Sequence, residues 1–95
     1  MLHHILVKWN ETVADKPAMA ERAEEAFRGA RAIPGISGCE VIRSNSDRAN
    51  RYDLMIRLTM TPEALPLYDE SEMHKAWKRD FSAYIDKKAI FDCEE

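Results

Sequence analysis

Cysteine, glycine and proline are all scarce in this 95-residue chain, at two, three and four residues. Cys39 and Cys93 have no CxxC spacing and no histidine at metal-finger spacing, which excludes a disulfide framework and a zinc finger and leaves two reduced structural thiols. The few glycines form no phosphate-cradling loop, and GxSxG, HExxH and paired-carboxylate signatures are equally absent. No run of Lys or Arg forms the stripe that phosphate neutralisation needs, and the net charge is -3, so nucleic acid is not an expected partner. Long apolar runs are missing too. The segment around Leu2, Ile5, Leu6 and Val7 is interrupted by His3, His4 and Lys8, too short and too polar for a signal core or a spanning helix, so neither a membrane nor a secreted location is expected. No metal site and no cofactor are expected either.

What is present is a balance of 45% hydrophobic and 33% charged residues in 11.0 kDa, which suits one compact cytoplasmic domain over residues 1–95. A chain this short buries only about 60–65% of its unfolded surface, so association would add useful burial.

The residues His3, Ile5, Val7 and Trp9 alternate with Leu2, His4, Leu6 and Lys8 and predict a first strand. Met19, Ala23, Ala26, Phe27, Ala30 and Ile33 recur at helical spacing opposite acidic and basic residues, with Pro17 suited to the first turn and Pro34-Gly35 to the end. A second strand is predicted over Ile36–Ser44, weakened by Gly38 and therefore near a sheet edge. Tyr52, Leu54, Ile56, Leu58 and Met60 alternate with Asp53, Met55, Arg57 and Thr59, the clearest period-two pattern in the chain and a third strand. Thr61 as N-cap with Pro62 and Glu63 behind it predicts a short helix limited by Pro66, and Ser71 starts a longer one striped by Met73, Ala76, Trp77, Phe81 and Tyr84. Lys88 to Cys93 supplies a short fourth strand. The order strand, helix, strand, strand, helix, strand is the ferredoxin-like βαββαβ arrangement, an α+β fold with helices on one face of a four-stranded antiparallel sheet of order 4-1-3-2.

Helices on one face leave the other bare. Leu2 and Leu6 belong to that bare face, joined by Met55 and Cys39 on the minor faces of their strands, and a self-complementary sheet-to-sheet homodimer would hide them.

Polar groups at element ends are the residues able to carry chemistry. His3 and His4 point to opposite faces of their strand and cannot share a metal. His74 sits at the edge of the Met73/Trp77/Phe81 stripe, where an imidazole can face a cavity rim and act as acid or base near neutral pH, or simply close the packing at a helix start. Tyr68, six residues earlier, can hydrogen-bond a ligand carbonyl or keep its hydroxyl in water.

Leu2-His3-His4-Ile5-Leu6-Val7-Lys8-Trp9, Tyr52-Asp53-Leu54-Met55, Thr61-Pro62-Glu63-Ala64-Leu65, the Tyr68-x5-His74 spacing and Ile90-Phe91-Asp92 together resemble the stress-responsive A/B barrel (Dabb) family over nearly the whole chain. The resemblance implies ferredoxin-like subunits that pair through their sheets into a dimeric α/β barrel. The family's strand-one His falls on His3, and the Tyr and His flanking its Tyr-x-x-His-Pro-x-His segment fall on Tyr68 and His74. Ser71 and Glu72 stand where the first His and the Pro usually are.

Two functions follow from the resemblance. One is a homodimeric, stress-responsive protein that binds a small apolar or carbonyl ligand without established catalysis, in a pocket lined by His3, Trp77 and Phe27 as well as His74 and Tyr68. The other is a cofactor-independent cyclase or lyase acting on an enolisable carbonyl, as in the family's plant polyketide cyclase, or a monooxygenase-like enzyme. In that case His74 would be the base and Tyr68 would orient it or hold the substrate oxygen. The departure at Ser71-Glu72 favours the first, and a cavity beside His74 and Tyr68 would favour the second.

Overall fold

A computed structural model describes all residues from Met1 to Glu95. β1 (Leu2–Trp9) is followed by α1 (Lys16–Ala26), β2 (Ile36–Arg43), β3 (Leu54–Met60), α2 (Ala64–Asp69), α3 (Glu72–Phe81) and β4 (Ile85–Cys93), with single 3-10 turns at Ala30–Ala32 and Ser82–Tyr84. The four strands form one antiparallel sheet in the order β2-β3-β1-β4, as the sequence predicts. The fold is ferredoxin-like α+β.

Strict alternation on β1 and β3 drives the layering. His3, Ile5, Val7 and Trp9, with Leu54, Ile56, Leu58 and Met60, are buried under the helices, while their neighbours stay half-exposed on the far side. From above, the helices lower Met19, Ala20, Ala23, Phe27, Ala64, Tyr68, Trp77 and Phe81 onto that sheet. No helix is long and apolar enough to cross a membrane.

Several boundaries differ from the expectations. α1 stops at Ala26 instead of running to Ile33, because the Phe27 amide turns back onto the Ala23 and Glu25 carbonyls and the chain then tightens into the 3-10 turn that buries Ala30. Gly29, a poor helix former, opens that turn. Thr61 does not cap α2 through its side chain; its carbonyl accepts the Ala64 amide at 3.0 Å in a turn that precedes the helix. That turn packs on Gly35, which has φ +89 and where a Cβ would lie 2.7 Å from the Thr61 hydroxyl and 2.8 Å from the Ala64 methyl, so only glycine fits. Tyr52 and Asp53 fall outside β3: the Asp53 carboxylate instead accepts the Trp9 amide at 2.9 Å and the Lys16 ammonium at 2.9 Å. β4 begins at Ile85 rather than Lys88. Its first turn of polar residues, Asp86-Lys87-Lys88, lies on an uncovered sheet edge and so carries no alternation.

The bare face exists as expected. Ile42, Met55, Leu6 and Ala89 form one cross-strand row, and Phe91 stands beside His4 in the next, with Ile42 and Phe91 among the exposed large hydrophobics. Cys39 is not part of it. It pairs with fully buried Leu58, so its thiol lies on the helix side, 3.9 Å from the Phe27 carbonyl oxygen. Cys39 and Cys93 are both free, on strands at opposite edges of the sheet.

Candidate functional site

Ser71 builds the site. Its extended backbone and short hydroxyl cap α3, accepting the His74 amide at 3.1 Å while donating to the Tyr68 carbonyl at 2.7 Å. One residue thus ends α2 and starts α3, and it folds Tyr68 and His74 toward each other: their ring centroids lie 4.5 Å apart.

From below, β1 brings His3 up against Tyr68, 5.7 Å between ring centroids in a T-shaped contact. Antiparallel register places Asp92 directly opposite His3, and Nδ1 of His3 donates to the Asp92 carboxylate at 2.5 Å. A pocket of about 300 Å³ opens between α2, α3 and β4, lined by His3, Tyr68, His74 and Trp77 together with Asp69, Asp92 and apolar side chains. That volume suits a ligand at the small end of the usual range.

The protons are assignable. Nδ1 of His74 lies 3.0 Å from the Asp69 carbonyl oxygen, which can only accept, so Nδ1 carries a hydrogen. His3 is fixed the same way by Asp92. Tyr68 is almost wholly buried, and its hydroxyl is the single buried side-chain polar atom without a hydrogen-bond partner. Burial, and to a lesser degree the Asp69 carboxylate and the Cys39 thiol, push the phenol well above its ordinary range, so it remains a neutral donor. Tyr68 and His74 therefore meet in adjoining rings at the pocket, with the phenol hydroxyl enclosed by protein and unpaired.

No protein-family model matches the chain, and no curated protein matches it. Solved structures do match. A dimeric ferredoxin-like protein of unknown function from Bacteroides fragilis superposes with a TM-score of 0.82 at 19% identity, over 99% of this chain and 94% of that one. A Dabb family protein with a ferredoxin-like fold from Mesorhizobium loti superposes with a TM-score of 0.74 at 18% identity, again over 99% of this chain and 94% of the other. This chain has the fold of a Dabb protein. The same architecture appears in a Nitrosomonas europaea protein assigned as an antibiotic biosynthesis monooxygenase, with a TM-score of 0.71 at 12% identity over 99% and 98% of the two chains. At these identities the likeness speaks for the fold alone.

Within this ferredoxin-like fold, four of the five residues singled out from the sequence meet at one pocket. Phe27 does not reach it. It is buried behind Trp77, edge-on at 4.9 Å between centroids, and supports the pocket wall rather than lining it. His4 lies on the opposite face, with its Nδ1 donating to the Phe91 carbonyl at 3.0 Å. Sequence reasoning passed over Asp92, Lys78 and Lys88, although each had a signal. Asp92 falls opposite His3 once the first and last strands pair, Lys78 follows His74 by one helical turn, and Lys88 shares a strand face with Ile90 and Asp92.

Proposed function

We propose that residues 1–95 form one Dabb-type domain, that two copies pair through the bare sheet face into an α/β barrel, and that each copy binds a small carbonyl compound in the pocket beside His74. The dimer is supported by the apolar row Ile42, Met55, Leu6 and Ala89 with exposed Phe91, and by the description of similar structures as dimeric. The single observation that carries the ligand reading is the orphaned Tyr68 hydroxyl. A buried donor without a partner costs about 1–3 kcal/mol, which a ligand oxygen offsets once the pocket wall yields to admit it. A cytoplasmic location belongs to the same reading, since both thiols are unbridged.

A second reading, proton abstraction from an enolisable carbonyl, is favoured by the adjacency of Tyr68 and His74 at one cavity. Nε2 of His74 would take the proton from the carbon next to the carbonyl. The C–H electron pair would move into the enolate, and the developing oxyanion would accept the Tyr68 O–H. No cofactor is required by this step.

Ligand-observed NMR with a set of small ketones and β-diketones separates these readings. Binding that disappears in His74→Ala supports the pocket, and exchange of the ketone α-hydrogens in D2O, present in the wild type and absent in His74→Ala, supports the base. Binding indifferent to His74 and Tyr68 substitutions would remove both.

A further inference from the structure

The uncovered sheet face carries one knob and one notch. Phe91 on β4 is the most exposed large apolar side chain of the protein, at 60%, and its ring rests against that of His4 with centroids 5.9 Å apart. Two residues along the strands and two strands across, Leu6, Ile42 and Met55 from three strands, with Tyr52 from the loop before β3, line a notch of about 150 Å³. An apolar cavity of about 150 Å³ accepts a benzene ring, so a phenyl group matches the notch in size and polarity. Arg43 also lines it, but its guanidinium is taken by the Glu24 carboxylate, and no unpaired charge opposes an apolar occupant.

Phe91 cannot fill the notch of its own chain. The strand order β2-β3-β1-β4 puts β1 between β3 and β4, so Phe91 stands about 10 Å across the sheet from Met55 on the same face. A second copy laid face to face removes that obstacle. About a two-fold axis, residue i meets j and j meets i, so one contact of knob with notch brings its equivalent with it. The row between Phe91 and the far edge tolerates such a pairing, because Arg57 is neutralised by Glu40 of its own sheet at 2.9 Å.

We propose that Phe91 of each copy fills the Leu6/Ile42/Tyr52/Met55 notch of the other, in two equivalent contacts about an axis that runs close to β1. This rests on the sheet-to-sheet pairing proposed above and adds to it the side chains that lock the pair and the way one sheet is set against the other.

The test uses charge exchange between knob and notch, with mass read by light scattering. Phe91→Lys places an ammonium in an apolar notch, and Met55→Glu places a carboxylate beneath a phenyl ring. Each variant alone should raise the dissociation constant on the order of a hundredfold or more, as expected when a central contact is lost, and run near 11.0 kDa. Mixed in equal amounts, the two should recover a mass of about twice 11.0 kDa, because the mixed pair keeps one native contact and lets the substituted lysine and glutamate meet at the other. Phe91→Ala, which introduces no charge, should weaken pairing on the order of tenfold or more. Phe91 and Met55 lie on the uncovered face, so a native far-UV spectrum verifies that the variants fold. Wild-type dimers that persist in Phe91→Lys, an unchanged dissociation constant in Phe91→Ala, or a mixture that stays monomeric overturns the knob-and-notch contact and leaves the pairing standing. A wild-type monomer overturns both.

Discussion

The ring of Tyr68 meets two imidazoles, with its centroid 4.5 Å from that of His74 and 5.7 Å from that of His3, and its hydroxyl bonds to neither. This arrangement keeps a buried phenol protonated and unsatisfied, a state that stability alone does not favour.

Tyr68→Phe should therefore separate stability from binding. Removing an orphaned buried hydroxyl stabilises the free protein by about 1 kcal/mol, read as a rise in the urea midpoint. The same change weakens binding of a carbonyl compound by about 1 kcal/mol through the lost hydrogen bond. A destabilised Phe variant would mean that the hydroxyl has a partner in solution.

His74→Ala removes a half-buried ring whose fixed contacts are one hydrogen bond to the Asp69 carbonyl and the packing on Tyr68. Stability should fall by no more than about 1 kcal/mol, while ligand binding should be largely lost. Thermal unfolding beside titration checks the pair of outcomes, and a large fall in stability with binding intact would make His74 a structural residue.

Ser71→Ala breaks two contacts at once, to the His74 amide and the Tyr68 carbonyl. A loss of about 1 kcal/mol is expected from the helix cap, with weaker ligand binding because both pocket residues lose their common anchor. Ser71→Asp, which still accepts the amide, should recover most of the stability.

Alkaline pH provides a test of Tyr68 burial. The phenol is raised in the folded chain above its ordinary value of about 10, so the unfolded state loses its proton first. Its contribution to stability is complete below pH 10 and declines as the pH rises beyond it. Urea midpoints measured on either side of pH 10 should fall more steeply for the wild type than for Tyr68→Phe. Parallel slopes would place the phenol in water.

The bare sheet face should hold two copies together. Light scattering at micromolar concentration should give about twice 11.0 kDa for the wild type, and Leu6→Glu, in the centre of the apolar row, should give a monomer with little change in secondary structure. A wild-type monomer would remove the barrel reading.

The order of elements, the sheet order and the two-faced character of β1 were legible in the sequence, because period-two and helical apolar patterns report which side of an element meets the core. Ser71 as a cap was legible for the same local reason: one hydroxyl satisfies amides within its own turn. The boundaries that failed depend on distant partners. Asp53 leaves β3 to bind Trp9 and Lys16, Cys39 turns toward Phe27, and β4 is longer than its polar start suggests because β1 supplies its hydrogen bonds. The pocket itself belongs wholly to tertiary structure. Sequence placed His74 and Tyr68 on neighbouring helices, but only antiparallel pairing of the first and last strands sets Asp92 on His3 and brings both to the pocket beside them. Local periodicity determines faces, whereas a site made from the two ends of the chain exists only once the sheet has closed the distance between them.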